Sequence, residues 1–167
     1  MPARLDTRLL YAMRTRFHGP RAEAVARFLG TIGEYGAVWF AIGIVLAIAD
    51  GDHREQWLLA AALGPFAIGL NYAVKLVVRR PRPALDGLPP LGNAPSSLSF
   101  PSAHSTASFA CATAMTRIAP EAAVLFVLAA AIALCRPYLG MHYPSDVLAG
   151  ALLGTALGLA LPLGLVD

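Results

Sequence analysis

The chain has 167 residues, 57% of them hydrophobic and only 14% charged, with a formal net charge of +3. An average soluble domain is roughly 45–50% apolar and about 25% charged, so an ordinary soluble fold is excluded: a soluble bundle would need polar outer faces that the long apolar runs lack. The arginines are not interleaved with aromatics on one face, which excludes a nucleic-acid surface. Cys111 and Cys135, both inside apolar runs, form no disulfide framework and read as small packing residues.

Taken in chain order, residues 3–28 carry Arg4, Arg8, Arg14, Arg16, Arg21 and Arg27 among Leu5, Leu9, Leu10, Met13, Phe17, Val25 and Phe28. Leu5, Leu9, Ala12 and Met13 recur at helical spacing, with Arg4, Arg8 and Arg14 to the side. The segment 1–30 is therefore expected as an amphipathic helix in the membrane interface, its arginines near the headgroups; a solvated basic tail is the alternative. Met1 to Pro20 has no continuous apolar core and no small-residue cleavage site, so a signal peptide is not expected.

About five transmembrane helices follow. Gly36 to Ala49 is the core of the first, entered a turn or more earlier, and Asp50 to Glu55 is a short polar turn. Gln56 to Val78 is the second. Residues 81–101, rich in Pro, Gly and Ser, form a connection of a length that is usually functional or mobile. Ser102 to Ile118 is a third helix, less apolar than the others. Pro120 suits a first helical position, and the fourth span runs from about Glu121 to Leu134. Asp146 to Leu165 is the fifth, with Gly150, Gly154 and Gly158 forming a ridge on which a neighbouring helix can approach closely; simple tolerance of glycine in lipid is the other reading. The fold class is all-α, a polytopic membrane bundle in a single domain, 1–167.

With five spans, the N-terminal segment shares a side with the 79–101 loop and with the stretch Cys135 to Asp146. Most of the basic residues crowd that side, and Arg54 and Arg117 lie opposite. Basic loops stay in the cytoplasm, so the crowded face is expected there, in a bacterial inner (plasma) membrane. Arg79 and Arg80 read as topology anchors.

Three polar clusters fall at that face. Lys75 is followed after six residues by Arg82-Pro83. Pro101-Ser102-Ala103-His104 opens the third helix. Arg136, five residues, His142, three residues and Asp146 complete the set. Ionisable residues at membrane depth mark functional sites. Cations suit a phosphate monoester, whose transition state spreads charge over its oxygens: Arg82 and Arg136 can grip bidentately, and Lys75 acts as a point charge. Ser102, Ala103 and the first amides of the third helix offer an anion-binding helix terminus. His18 and His53 receive no role.

In order and spacing, the clusters resemble the signature of the type 2 phosphatidic acid phosphatase superfamily, Lys-x6-Arg-Pro, Pro-Ser-Gly-His and Ser-Arg-x5-His-x3-Asp. These are membrane lipid phosphatases related to acid phosphatases and vanadium haloperoxidases, and the resemblance extends from about residue 35 to the end. It implies that His142 is the nucleophile forming a phosphohistidine, that Asp146 orients it, and that His104 is the leaving-group acid. Lys75, Arg82, Ser102, Ala103 and Arg136 would bind phosphate. No metal or cofactor is implied. Ala103 replaces the usual glycine and Cys135 the usual serine, changes that could tune the substrate.

The resemblance to short actinobacterial members implies a polyprenyl-linked sugar phosphate as substrate, decaprenylphosphoryl-5-phosphoribose in cell-wall arabinan precursor synthesis. Undecaprenyl diphosphate, phosphatidic acid and phosphatidylglycerophosphate are alternatives. A haloperoxidase conflicts with the composition. A non-enzymatic membrane protein or transporter would have no reason to align two histidines and three cations on one face. The partners expected are a lipid-linked phosphate and the bilayer, with no nucleic acid; the sequence leaves oligomeric state open.

Overall fold

Apolar runs broken by Gly and Pro fold into helices, and a computed structural model describes residues 2–16, 18–92 and 98–165. Among the described residues all regular structure is helical: α1 (Pro2–Arg16), α2 (Pro20–Ile32), α3 (Ala37–Ala49), α4 (Arg54–Val78), α5 (Ala103–Ile118), α6 (Leu125–Tyr138) and α7 (Pro144–Ala160), with short 3-10 turns between. The expected loop 81–101 includes residues 93–97, which lie outside the described residues.

α5 is the axle of the bundle, packed by α4, α6 and α7. Burial on nearly all sides explains its short, polar-rich sequence, because its hydroxyls meet partners on other helices rather than lipid. Ser108 Oγ accepts from Trp39 Nε1 at 3.0 Å, Asn71 Nδ2 donates to Thr106 Oγ1 at 2.9 Å, and Ser105 Oγ donates to the Val147 carbonyl at 2.7 Å. Against α5 lies the glycine ridge of α7. A Cβ on Gly154 would come within 2.2 Å of the Thr106 carbonyl oxygen, and one on Gly158 within 2.6 Å of the Ala110 carbonyl oxygen. Here the glycines are a contact surface, since no side chain fits between the two backbones. Large apolar side chains such as Val45, Ile48, Phe66, Val77, Val127 and Leu152 point outward, as they would toward lipid.

Two helical segments are long and apolar enough to cross a membrane, Gly51–Val78 and Pro120–Tyr138, with mean hydropathies of 1.5 and 1.6. α2 and α3 together make a third candidate, bent by 52°. The bend lies at Tyr35 and Gly36, both in the left-handed region with φ of 55° and 75°. α7 is apolar but shorter.

Three sequence expectations change. The N-terminal stretch is two helices, because Gly19 and Pro20 break it and Pro20 starts α2. The buried stripe of α1 is Asp6, Leu10 and Arg14 at four-residue spacing, while Leu5 and Leu9 face outward. Arg14, expected among headgroups, is instead buried, donating to the Pro89 carbonyl at 2.6 Å and the Tyr138 carbonyl at 3.4 Å. The second of these acceptors lies in the last turn of α6, whose carbonyls have no partner within the helix. Finally, α6 continues past Leu134 to Tyr138 and carries Arg136 within its last turn.

Candidate active site

The C-termini of α4 and α6 and the N-termini of α5 and α7 meet at one end of the bundle. Lys75 comes from the last turn of α4, Ser102 caps α5, Arg136 ends α6, and Asp146 sits in the first turn of α7. Arg82 and His142 come from the adjoining loops. Lys75, Ser102, Arg136, His142 and Asp146 are all buried.

His142 is the hub. Its Nε2 lies 3.3 Å from Arg82, whose same nitrogen donates to the Met141 carbonyl at 2.7 Å. Its Nδ1 faces Asp146 Oδ2 at 3.6 Å, beyond hydrogen-bond range, and has no partner. Burial lowers the His142 pKa to about 4, with Arg82, Arg136 and Lys75 pushing the same way and the Asp146 carboxylate opposing. The imidazole is therefore neutral at pH 7. Burial also brings Arg82 down to about 10, helped by the neighbouring Arg136 cation and opposed by Asp146.

Lys75 Nζ donates to the Leu98 carbonyl at 2.7 Å and the Ser99 carbonyl at 3.3 Å. Arg136 reaches the Met141 sulfur at 2.9 Å, and its Nε has no partner. Ser102 Oγ is also unpartnered, while its amide donates to the Asp146 carbonyl oxygen at 3.0 Å. Ala103 opens α5 beside it. Buried polar groups are normally satisfied, so the orphan Arg136 Nε and Ser102 Oγ leave capacity for an acceptor group here.

His104 stands across the cluster, its Nε2 bonded to the Gly30 carbonyl at 3.0 Å. A carbonyl only accepts, so Nε2 carries the proton and Nδ1 is left for proton transfer. The Cys135 thiol donates to the Ile132 carbonyl at 3.0 Å and also interacts with the Arg136 side chain. Among the described residues, no three His, Cys, Asp or Glu side chains gather as metal ligands would.

Sequence reasoning misses the far side of Asp146. Arg80, expected as a topology anchor, donates to Asp146 Oδ1 at 2.7 Å and to Asp6 Oδ2 at 2.7 Å, and its guanidinium lies 4.1 Å over the Tyr143 ring. Burial disfavours the Arg80 cation, but the Asp6 and Asp146 carboxylates outweigh it and raise its pKa. Ser99 Oγ and the Tyr143 amide both donate to Asp146 Oδ2. Asp6 in turn accepts from the Ser145 amide at 3.0 Å and from the Ser145 hydroxyl. The one signal in the sequence is the second Arg-Pro pair, Arg80-Pro81.

The PAP2 superfamily model matches residues 56–165, which include the residues of this cluster except Asp6 and Gly30. The chain belongs to the PAP2 superfamily. Decaprenylphosphoryl-5-phosphoribose phosphatase of Mycobacterium tuberculosis is 40% identical over 139 residues, 83% of this chain and 78% of that protein. Its namesake from Mycolicibacterium smegmatis is 37% identical over 145 residues, 85% of this chain and 79% of that one. Two solved PAP2-like folds match with TM-scores of 0.73. One is the first transmembrane PAP2 type phosphatidylglycerolphosphate phosphatase from Bacillus subtilis, 23% identical, covering 95% of this chain and 83% of that one. The other is Aquifex aeolicus LpxE, 28% identical, covering 93% of each. This PAP2 protein is a membrane lipid phosphatase, a phosphoric monoester hydrolase.

Proposed function

We propose that the chain hydrolyses the phosphate monoester of a polyprenyl-linked sugar phosphate, decaprenylphosphoryl-5-phosphoribose, through a phosphohistidine on His142. The carrying observation is that a neutral, buried His142 turns Nε2 toward the Arg82 guanidinium, with the Arg136 and Lys75 cations close enough to act on the same ring. The names of the relatives supply the substrate. Entering phosphate takes over the Arg82 donor now resting against Nε2 and frees that lone pair for attack on phosphorus. Lys75, Arg136, Ser102 and the amides at Ala103 hold the remaining oxygens. Phosphorylation at Nε2 makes the ring cationic, and Asp146, 3.6 Å from Nδ1, closes onto its proton. His104, neutral with its Nε2 proton on the Gly30 carbonyl, takes a second proton at Nδ1 from solvent or from the substrate's monoanion as the phosphate enters. It passes that proton to the leaving alkoxide and, with Nδ1 free again, deprotonates the water that cleaves the phosphohistidine.

The topology is part of the proposal. Five spans, α3 to α7, put this end with α1 and α2, whose arginines favour the cytoplasm, and make 1–167 one membrane-embedded domain of a plasma-membrane protein. Outward-facing Leu5 and Leu9 suit α1 lying in the interface.

The test is phosphate release from detergent-solubilised protein in EDTA, offered the phosphoribosyl lipid, phosphatidic acid, phosphatidylglycerophosphate and undecaprenyl diphosphate. The phosphoribosyl lipid is expected to be cleaved fastest, with an acid-labile phosphoryl group trapped on His142. Full activity in His142→Ala would refute the mechanism, and a clear preference for another lipid would refute the substrate.

A further inference from the structure

Beside Arg136 lies a cavity of about 290 Å³ whose walls include Arg27, Gly30, Thr31, Glu34, Arg136 and Met141. It adjoins the phosphate site. Met141 hands its carbonyl to Arg82, and the Gly30 carbonyl holds His104. A Cβ on Gly30 would come within 3.0 Å of Arg136, so the wall stays open on that side because the residue is glycine. The buried Arg136 contributes an orphan Nε.

We infer that this cavity receives the alcohol side of the ester, a single hydroxylated sugar ring, and that Thr31 and Glu34 read its hydroxyl groups. The inference rests on the His142 phosphoryl-transfer reading above. His104, the leaving-group acid of that reading, is held by the carbonyl of Gly30, a residue of the cavity wall, and Arg136 lines the cavity as well, so the group carried by the leaving oxygen has this space beside it. Leu91, Leu139 and Met141 line part of the cavity and can pack against the face of a ring, while the polar groups suit its hydroxyls. The Glu34 carboxylate accepts from hydroxyls, and Thr31 Oγ, which donates to the Arg27 carbonyl at 3.0 Å, keeps lone pairs to accept another. Arg27 is held by Glu23 through Nε and Nη2, leaving Nη1 at the rim beside Gly92. The volume lies near the lower end of the roughly 300–1,000 Å³ of small-molecule sites. It suits one sugar ring, leaving a polyprenyl tail outside in lipid.

The test compares inhibition by ribose 5-phosphate and by inorganic phosphate, using p-nitrophenyl phosphate as chromogenic substrate. One or two net hydrogen bonds to the ring correspond to about tenfold in affinity, so ribose 5-phosphate is expected to bind about tenfold more tightly than phosphate. Glu34→Ala and, independently, Thr31→Val should each erode that ratio, whereas Arg54→Gln at the opposite end should preserve it. If Glu34→Ala fails to fold, Thr31→Val alone decides. A wild-type ratio near one, or a ratio that survives Thr31→Val, overturns the inference. Failure of the lipid-substrate reading looks different: the phosphoribosyl lipid is not cleaved, yet the ratio and its loss in the variants persist.

Discussion

The two sides of His142 are built from the same residue types to different ends. On the Nδ1 side, charges are matched: Arg80 lies between the Asp146 and Asp6 carboxylates, and Ser99, Ser145 and Tyr143 supply further bonds. On the Nε2 side, Lys75, Arg82 and Arg136 gather around a neutral ring, with orphan donors on Arg136 and Ser102. Arg80 and Arg82, two residues apart in one loop, fall on opposite sides. A matched network fixes positions, because each charge holds another. On the Nε2 side burial and the neighbouring cations push the Arg82 and His142 pKa values down, and the repulsion from those cations is one that an arriving anion would relieve.

The comparison breaks most visibly if the Nε2 side can be weakened cheaply. Removing one preorganised donor to developing charge costs roughly 10²–10³ in rate. Arg136→Ala is expected to lower kcat/KM by about a thousandfold, near 4 kcal/mol of transition-state stabilisation, with the folded protein verified by its unchanged elution in detergent. A loss below tenfold would mean the orphan donors do not face the phosphate.

The second prediction uses the ring between the two sides. An unfolded histidine titrates near 6.5, whereas His142 holds off protonation to about pH 4. Below about pH 6.5 the unfolded chain takes up a proton that the folded chain refuses. Stability is thus fully present above that pH and drains as pH falls toward 4. Each tenfold difference in proton affinity between folded and unfolded chain is worth about 1.4 kcal/mol, so the loss approaches roughly 3 kcal/mol. Thermal midpoints in detergent should fall more steeply for wild type than for His142→Gln over this window; parallel curves would show that burial and the cations do not hold the ring neutral.

How much of this was legible in the sequence depends on distance along the chain. Lys75 and Arg82, or Arg136, His142 and Asp146, stand at fixed short spacings, so a pattern carries them. The helix ends of α4 and α5 are legible because Arg79 and Pro101 punctuate them. Asp6 bonded to Ser145, 139 residues away, leaves no spacing to read. Nor does Arg14 on Tyr138: an arginine on an amphipathic helix looks the same whether it meets headgroups or the carbonyls of another helix. The bend at Tyr35 escapes too, because a non-glycine residue with positive φ has no reliable local signature. Packing decided these, and packing lies outside periodicity.

The smallest effect tests whether the matched side acts on the chemistry or only on the fold. Asp146 accepts from Arg80, Ser99 and the Tyr143 amide, so losing Arg80 leaves the carboxylate in place but less firmly aimed at Nδ1. Arg80→Ala should lower kcat about tenfold, near 1.4 kcal/mol, while leaving KM unchanged, because phosphate is held by the other side. Asp6→Asn should act in the same direction and more weakly, since it loosens Arg80 rather than Asp146 itself. Arg80→Lys, which keeps the charge but not the fork that spans both carboxylates, should fall between wild type and Arg80→Ala. A purely structural role would lower the yield of folded protein without this split between kcat and KM. A thousandfold loss in Arg80→Ala, equal to that of Arg136→Ala, would erase the distinction between the two sides and place Arg80 on the phosphate.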